Sequence, residues 1–334
     1  MKKRAIVIAG AAIALASGLA GCANQPSGLD YYLTGRLDAQ QGHMNAAIAE
    51  LSRAIVRQPH LALAYAARGN LYKKRGDFHA AAKDYAAAAR LEPFDFHSHY
   101  ELGLMFQYLH KLASAINAYQ QALEIRPMSP HANVNLALAY VQTGKPFKAI
   151  MYAQRARHNR RLHGRLAADL GIVYDQVANS VKGSRQQARY RNHAIDAFKI
   201  GIEGKPHSDR LYLNLAAEYM HLKQWNAARQ VLGTAGHLAP SAAVFTRLGL
   251  CCYMRHHLQA AAKAYKTALR LSPKNSAALN GLGVVRMTES LQQSPPDVML
   301  ARAALKSWRM SLRINPHQPV IQRLVRKYAG KHKG

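Results

Sequence analysis

The sequence predicts an all-α chain, a solenoid of about eight helix–turn–helix units closed by one capping helix. Three observations predict it. A small residue recurs at Gly35, Gly69, Gly103, Ala137 and Gly171, 34 residues apart, and returns at Ala216, Gly249 and Gly283. An alanine stands at one phase of every unit: Ala47, Ala81, Ala115, Ala149, Ala194, Ala228, Ala261 and Ala304. Prolines close the units at Pro59, Pro93, Pro127, Pro206, Pro240, Pro273 and Pro316, with Arg161 in the remaining place. Length alone suits two domains of about 150 residues, but a period running through the whole chain overrides that estimate.

The first element lies before the repeats. Lys2, Lys3 and Arg4 precede an uncharged apolar stretch from Ala5 to Ala20, the layout of an export signal. At 16 residues the stretch falls short of the ~20 that a permanent membrane-crossing helix needs. It ends in Leu19-Ala20-Gly21-Cys22, which resembles a bacterial lipobox. That resemblance implies removal of residues 1–21 as a signal peptide and a lipid on Cys22, with 22–27 as anchor and short linker. The alternative is an ordinary export signal with a chance cysteine. Ala23, rather than Asp, after the cysteine resembles an address to the periplasmic face of the outer membrane.

The units follow near 28–61, 62–95, 96–129, 130–163, 164–208, 209–241, 242–275 and 276–318. Seven residues after each phased alanine stands another small residue: Ala54, Ala88, Ala122, Ala156, Gly201, Ala235, Ala268 and Ser311. Between the two small positions falls Leu51, Tyr85, Tyr119, Ala153, Phe198, Leu232, Tyr265 or Trp308. Spacings of four and three put these residues on one helix face. The small residues let a neighbouring helix come close and the large one fills the gap. Gly76 marks a turn between helices, and Pro93 cannot continue one. Each unit is thus a helix pair that buries its apolar face only by stacking. Two units are longer. Eleven extra residues lie between Gly171 and Ala194, and nine between Gly283 and Ala304. Each is either a rim insertion that carries function or a pair of longer helices. Residues 319–334 read as a capping helix with a basic tail, Val320, Leu324 and Tyr328 sharing its apolar face.

The run Tyr65-x3-Gly69-x2-Tyr72-x3-Gly76-x4-Ala81-x3-Tyr85-x2-Ala88-x4-Pro93 resembles the tetratricopeptide (TPR) repeat. The resemblance covers residues 28–317. It implies a right-handed superhelix whose first helices line a concave groove that takes a peptide. Mapped onto the later units, that groove is lined by Leu213, Met220, Leu250, Tyr253, Met254, Val284 and Met287, an adaptable apolar surface. The alternative is that neighbouring helices cover these residues. Some members of the family hold a terminal carboxylate with a Lys/Asn/Arg set. Around Asn70 the matching places hold Ala66, Glu101 and His131, and Glu101 would repel such a ligand.

Composition limits the function. Apolar residues make up 49% of the 334, which argues against a disordered basic tail. Against 46 Lys+Arg stand 17 Asp+Glu, a formal charge of +29. From Tyr219 onward there are 18 Lys+Arg and two acids. A further basic patch comprises Arg155, Arg157, Arg160, Arg161, Arg165, Lys182, Arg185, Arg189 and Arg191. Such one-sided charge repels itself, so an anionic lipid surface, an acidic polymer or an acidic protein is expected to offset it. The alternative is a generally basic exported proteome. Nucleic acid is disfavoured as a partner, because no reading motif is present. Almost every residue belongs to a repeat, and no Gly-rich phosphate loop, HExxH or GxSxG occurs. No catalytic residue, metal site or cofactor is therefore expected. Cys251 and Cys252 read as packing residues, and His97/His99 and His256/His257 lack the spacing for shared ligation on a helix. The expected function is a lipid-anchored scaffold that recruits a protein partner in envelope assembly, pilus or secretion-channel or cell-wall machinery. The alternative is a binder of an anionic polysaccharide or cell-wall polymer.

Overall fold

The computed structural model describes residues 26–157 and 163–329, with 17 helices and no strand among them. The leader, Cys22, Arg160, Arg161 and the end of the basic tail lie outside the described residues. The described chain forms two compact units, one ending at Ala132 and one starting at Asn133.

The first unit holds three antiparallel pairs: α1 (Gly28–Gln41) with α2 (Met44–Arg57), α3 (Ala62–Arg75) with α4 (Phe78–Leu91), and α5 (Phe96–Tyr108) with α6 (Leu112–Ile125). Helix α7 (Pro130–Gln142) begins at the junction of the two units. The second unit continues with α8 (Pro146–Arg157), α9 (Gly164–Ser180), α10 (Ser184–Gly204), α11 (Asp209–His221) and α12 (Trp225–Leu238). Then come α13 (Ala242–Met254), α14 (Leu258–Leu271), α15 (Ser276–Leu291), α16 (Val298–Ile314) and α17 (Pro319–Ala329).

Local chemistry sets the helix starts. Ser27 and Asp30 form a reciprocal capping box on α1, at 2.8 and 3.2 Å. Asp77, Asp95, Ser241, Asn275 and Asp297 accept backbone N–H groups at the starts of α4, α5, α13, α15 and α16. Between the helices of a pair the chain turns through the left-handed region. Gly76 does so at φ +84°, as glycine can without steric cost. At the same register stand His110, Lys223 and His256, at φ 56 to 58°.

The repeated positions form the core. All eight phased alanines are fully buried, and Tyr85, Tyr119, Phe198, Leu232 and Trp308 beside them are at most 1% exposed. The small residue on the first helix faces that large side chain. A Cβ at Gly103 would stand 2.5 Å from Tyr119 Cε1, and one at Gly171 2.6 Å from Phe198 Cδ1. At Gly69 the corresponding approach to Tyr85 is 3.3 Å. Two of these hydroxyls are satisfied across the pair: Tyr85 donates to Asn70 Oδ1 at 2.8 Å and Tyr119 to Gln107 Oε1 at 2.7 Å.

Both long units are longer helices rather than protruding loops. Helices α9 and α10 have 17 and 21 residues and are joined by three, 181–183. Tyr174 and Tyr190 stack between them, with ring centroids 6.3 Å apart. Helices α15 and α16 have 16 and 17 residues. At the C-terminal end α17 packs through Ile321, Leu324 and Tyr328 against Trp308 and Leu305. Val320, expected on that face, is 56% exposed. The packed face comprises 321, 324, 325 and 328, and position 320, about 90° around the helix from its centre, falls at the margin.

Candidate functional site

The columns of the repeat, read in parallel, reveal one joint that breaks their rule. Two residues after the small residue stand Leu37, Leu71, Met105, Ala139, Val173, Glu218, Cys251 and Val285. Seven are apolar, and Glu218 takes a place that six of them fill with a buried apolar side chain, Leu37 in the first pair being exposed. Three residues before the phased alanine stand Met44, Phe78, Leu112, Pro146, Arg191, Trp225, Leu258 and Ala301. Here Arg191 is the single charge. The two exceptions meet. Arg191 Nη1 donates to Glu218 Oε2 at 3.0 Å, and Nη2 donates to Asn179 Oδ1 at 2.7 Å. Asp175 lies 3.6 Å from the same guanidinium. Arg191 is 7% exposed and Glu218 2%.

Sequence reading missed Glu218, although its register was there to find it, because a lone glutamate on a helix is ordinarily solvated. It counted Arg191 among exposed basic residues. The structure corrects that: Arg191 is spent on a buried ion pair inside the second unit. Burial, and a second carboxylate (Asp175) competing for the one guanidinium, push the Glu218 carboxyl up to about 7 despite Arg191. His221 is held below the usual imidazole range, first by burial and then by Arg191.

This joint floors a pocket of about 300 Å³. Asp175, Gln176 and Asn179 line it from α9, and Arg210, Asn214, Ala217 and His221 from α11. The lining thus comes mainly from successive first helices, the surfaces expected to face a partner. It offers donors and acceptors from both sides, with Glu218 among its lining residues. That arrangement suits polar groups of a bound chain.

The same columns continue into α13 and α15 and change character. Ile172, Ala217, Leu250 and Val284 share one position; Asp175, Met220, Tyr253 and Met287 the next; Gln176, His221, Met254 and Thr288 the third. Leu250 and Met254 are 37% and 43% exposed. Leu213 and Met220 are half-buried against the Tyr212–Leu232 core, and Tyr253 against that of Tyr265. Val284 is half-buried beside the core around Trp308. Met287 is buried at 4% in that core, so it fills the interior instead of lining a groove. The reason is α17, whose Ile321 closes over it. Cys251 and Cys252 are buried as well, and burial pushes the Cys251 thiol up to about 11, far from a reactive thiolate.

Of the remaining basic residues, Arg155, Arg157, Arg165, Lys182, Arg185 and Arg189 are exposed. Arg155 lies 5.8 Å from the Tyr152 ring, and Arg165 is 3.7 Å from Asp169. In the first unit Lys73 Nζ donates to the buried Glu101 at 2.8 Å, so Glu101 is already neutralised.

Models described as the tetratricopeptide repeat match residues 66–106 and 242–275, and one described as the TPR repeat matches 108–144. The chain carries tetratricopeptide repeats. Solved structures agree on the fold. The C-terminal part of a TPR repeat-containing protein from Cytophaga hutchinsonii aligns at a TM-score of 0.58 and 15% identity, over 75% of this chain and 99% of that one. PilF of Pseudomonas aeruginosa aligns at 0.51 and 17%, over 66% and 95%. A tetratricopeptide repeat protein from Parabacteroides merdae aligns at 0.50 and 16%, over 77% and 98%. No curated protein matches the chain. TPR proteins are generally scaffolds that bind other proteins, and the family models that match are repeat models.

Proposed function

We propose that this TPR protein is a lipid-anchored scaffold of the bacterial envelope that holds a protein partner against α11 and α13, in pilus, secretion-channel or cell-wall assembly. The observation that carries the reading is the pairing on one surface of exposed Leu250 and Met254 with the polar pocket over Arg191 and Glu218. An apolar strip supplies area to bury, and the polar groups of the pocket beside it, Asp175, Asn179, Arg210 and Asn214, set orientation. The anchor rests on the leader pattern and Cys22.

The test is photo-crosslinking in intact cells from Met254, with Lys266 of α14 as the control position. A discrete protein adduct at 254, absent at 266 and lost on Leu250→Ser, is expected. Equal adducts from both positions would sink the assignment. Exposed Lys182, Arg185 and Arg189 favour a second reading, capture of an anionic polysaccharide or cell-wall polymer. Such binding must weaken steeply with added salt, whereas capture through Leu250 and Met254 must not.

A further inference from the structure

The first unit has two unlike edges. At one edge lie the turns within each pair: Gln41-Gly42-His43, Arg75-Gly76-Asp77 and His110-Lys111. These are polar or charged, with Tyr108 as the apolar exception, stacked on Phe78 at 4.5 Å. The other edge holds the connections between pairs, together with the starts of α1, α3 and α5. There large apolar residues stand exposed among polar ones such as Gln58, His60, Glu92 and Arg126. Leu29 and Leu63 stand 34 residues apart in the first turns of α1 and α3, 49% and 50% exposed. Phe94 and Met128 stand 34 apart at the tips of the following connections, 87% and 58% exposed. Val56, in the last turn of α2, is 79% exposed. Alternation of helix direction puts all five on one side. The backbone confirms the edge at α1 and α2, where a Cβ on Gly28 would stand 2.5 Å from Gln58 Cβ.

From that same edge the chain leaves toward its N-terminus, through Ser27. Between Cys22 and α1 there are five residues, 23–27, which reach at most about 18 Å even when fully extended. An acyl chain on Cys22 therefore keeps this edge, and not the polar one, within reach of the bilayer. Exposed apolar tips beside a lipid anchor add a second membrane contact, which orients the tethered body on the bilayer. We propose that the connection edge of the first unit, through Leu29, Val56, Leu63, Phe94 and Met128, dips into the membrane interface and fixes how the molecule stands on the bilayer. The proposal rests on the acylation of Cys22 proposed above.

The experiment uses the full-length lipoprotein in vesicles of phosphatidylethanolamine and phosphatidylglycerol, with an environment-sensitive fluorophore on Phe94→Cys or, as control on the opposite edge, Asn45→Cys. Cys251 and Cys252 are buried and stay unlabelled in the folded protein. Mass spectrometry of the N-terminal peptide reports acylation separately. Expected are acylated Cys22, a blue shift with protection from an aqueous quencher at 94, and an aqueous signal at 45. Acylated protein with aqueous signals at both positions overturns the edge proposal and leaves the anchor standing. Lack of acylation removes the anchor and the edge together. Protection at 94 already present without vesicles assigns the edge to a second copy of the chain and overturns the membrane reading.

Discussion

At the scale of single residues, the repeat tolerates a few positions that oppose its own geometry. His110, Lys223 and His256 hold the left-handed turn that glycine holds at 42, 76 and 144. An L-residue in that region costs about 1–2 kcal/mol, part of which glycine returns as lost chain entropy. His256→Gly is therefore expected to stabilise the fold by up to ~1 kcal/mol in urea unfolding, and a clear loss of stability would contradict this account. The opposite substitution at the close approaches must hurt. Gly103→Ala, with Tyr119 Cε1 at 2.5 Å, is expected to cost about 1–3 kcal/mol through overpacking. Gly69→Ala, with Tyr85 at 3.3 Å, should cost less, and equal losses would argue against packing as the cause. None of this was legible from glycine content alone. The 34-residue register identified the positions, but only the distances rank them.

Helix by helix, the joint of α10 and α11 is where charge replaces hydrocarbon. Arg191→Leu alone takes the shared partner from buried Glu218 and is expected to cost about 3–5 kcal/mol, whereas Glu218→Val should cost less, because Asp175 still faces the guanidinium. Made together they restore the residue types of the sister repeats, and the double variant should be near wild type or more stable. A double-mutant cycle by chemical denaturation measures this, and additive losses would show that the pair is not coupled. The pair also predicts a pH dependence. The Glu218 carboxyl titrates near 7 when folded and near 4.5 in the unfolded chain. Its contribution is complete below the unfolded value and is lost as pH rises through 7. Melting temperatures of wild type and Glu218→Gln at pH 5 and pH 8 test the sign: the wild type should lose more on going to pH 8. The element pattern was legible because helix faces repeat every three and four residues. The joint was not, since a charge in one column signals burial only after the columns are aligned. The burial of Met287 escaped for a related reason, because its cover comes from a helix more than thirty residues away in sequence.

For the whole molecule, 46 Lys+Arg against 17 Asp+Glu must repel across much of the surface. Raising the salt from low to physiological strength shortens the range of that repulsion to about 8 Å and should raise the melting temperature. A fall instead would mean that surface ion pairs already balance the charge. The all-helical repeat fold was legible, since eight copies of one pattern leave a stack as the way to bury their faces. The groove was legible only as a face. Which of its residues remain open to a partner depends on how α17 and the long helices close over them. The Arg191–Glu218 joint has one more consequence, for the history of such arrays. Repeat proteins lengthen and shorten by copying or losing a unit. At this place copying or losing one of the two units would leave an arginine or a glutamate in the joint without its partner. The array is free to drift in length elsewhere, but here its neighbours are no longer interchangeable.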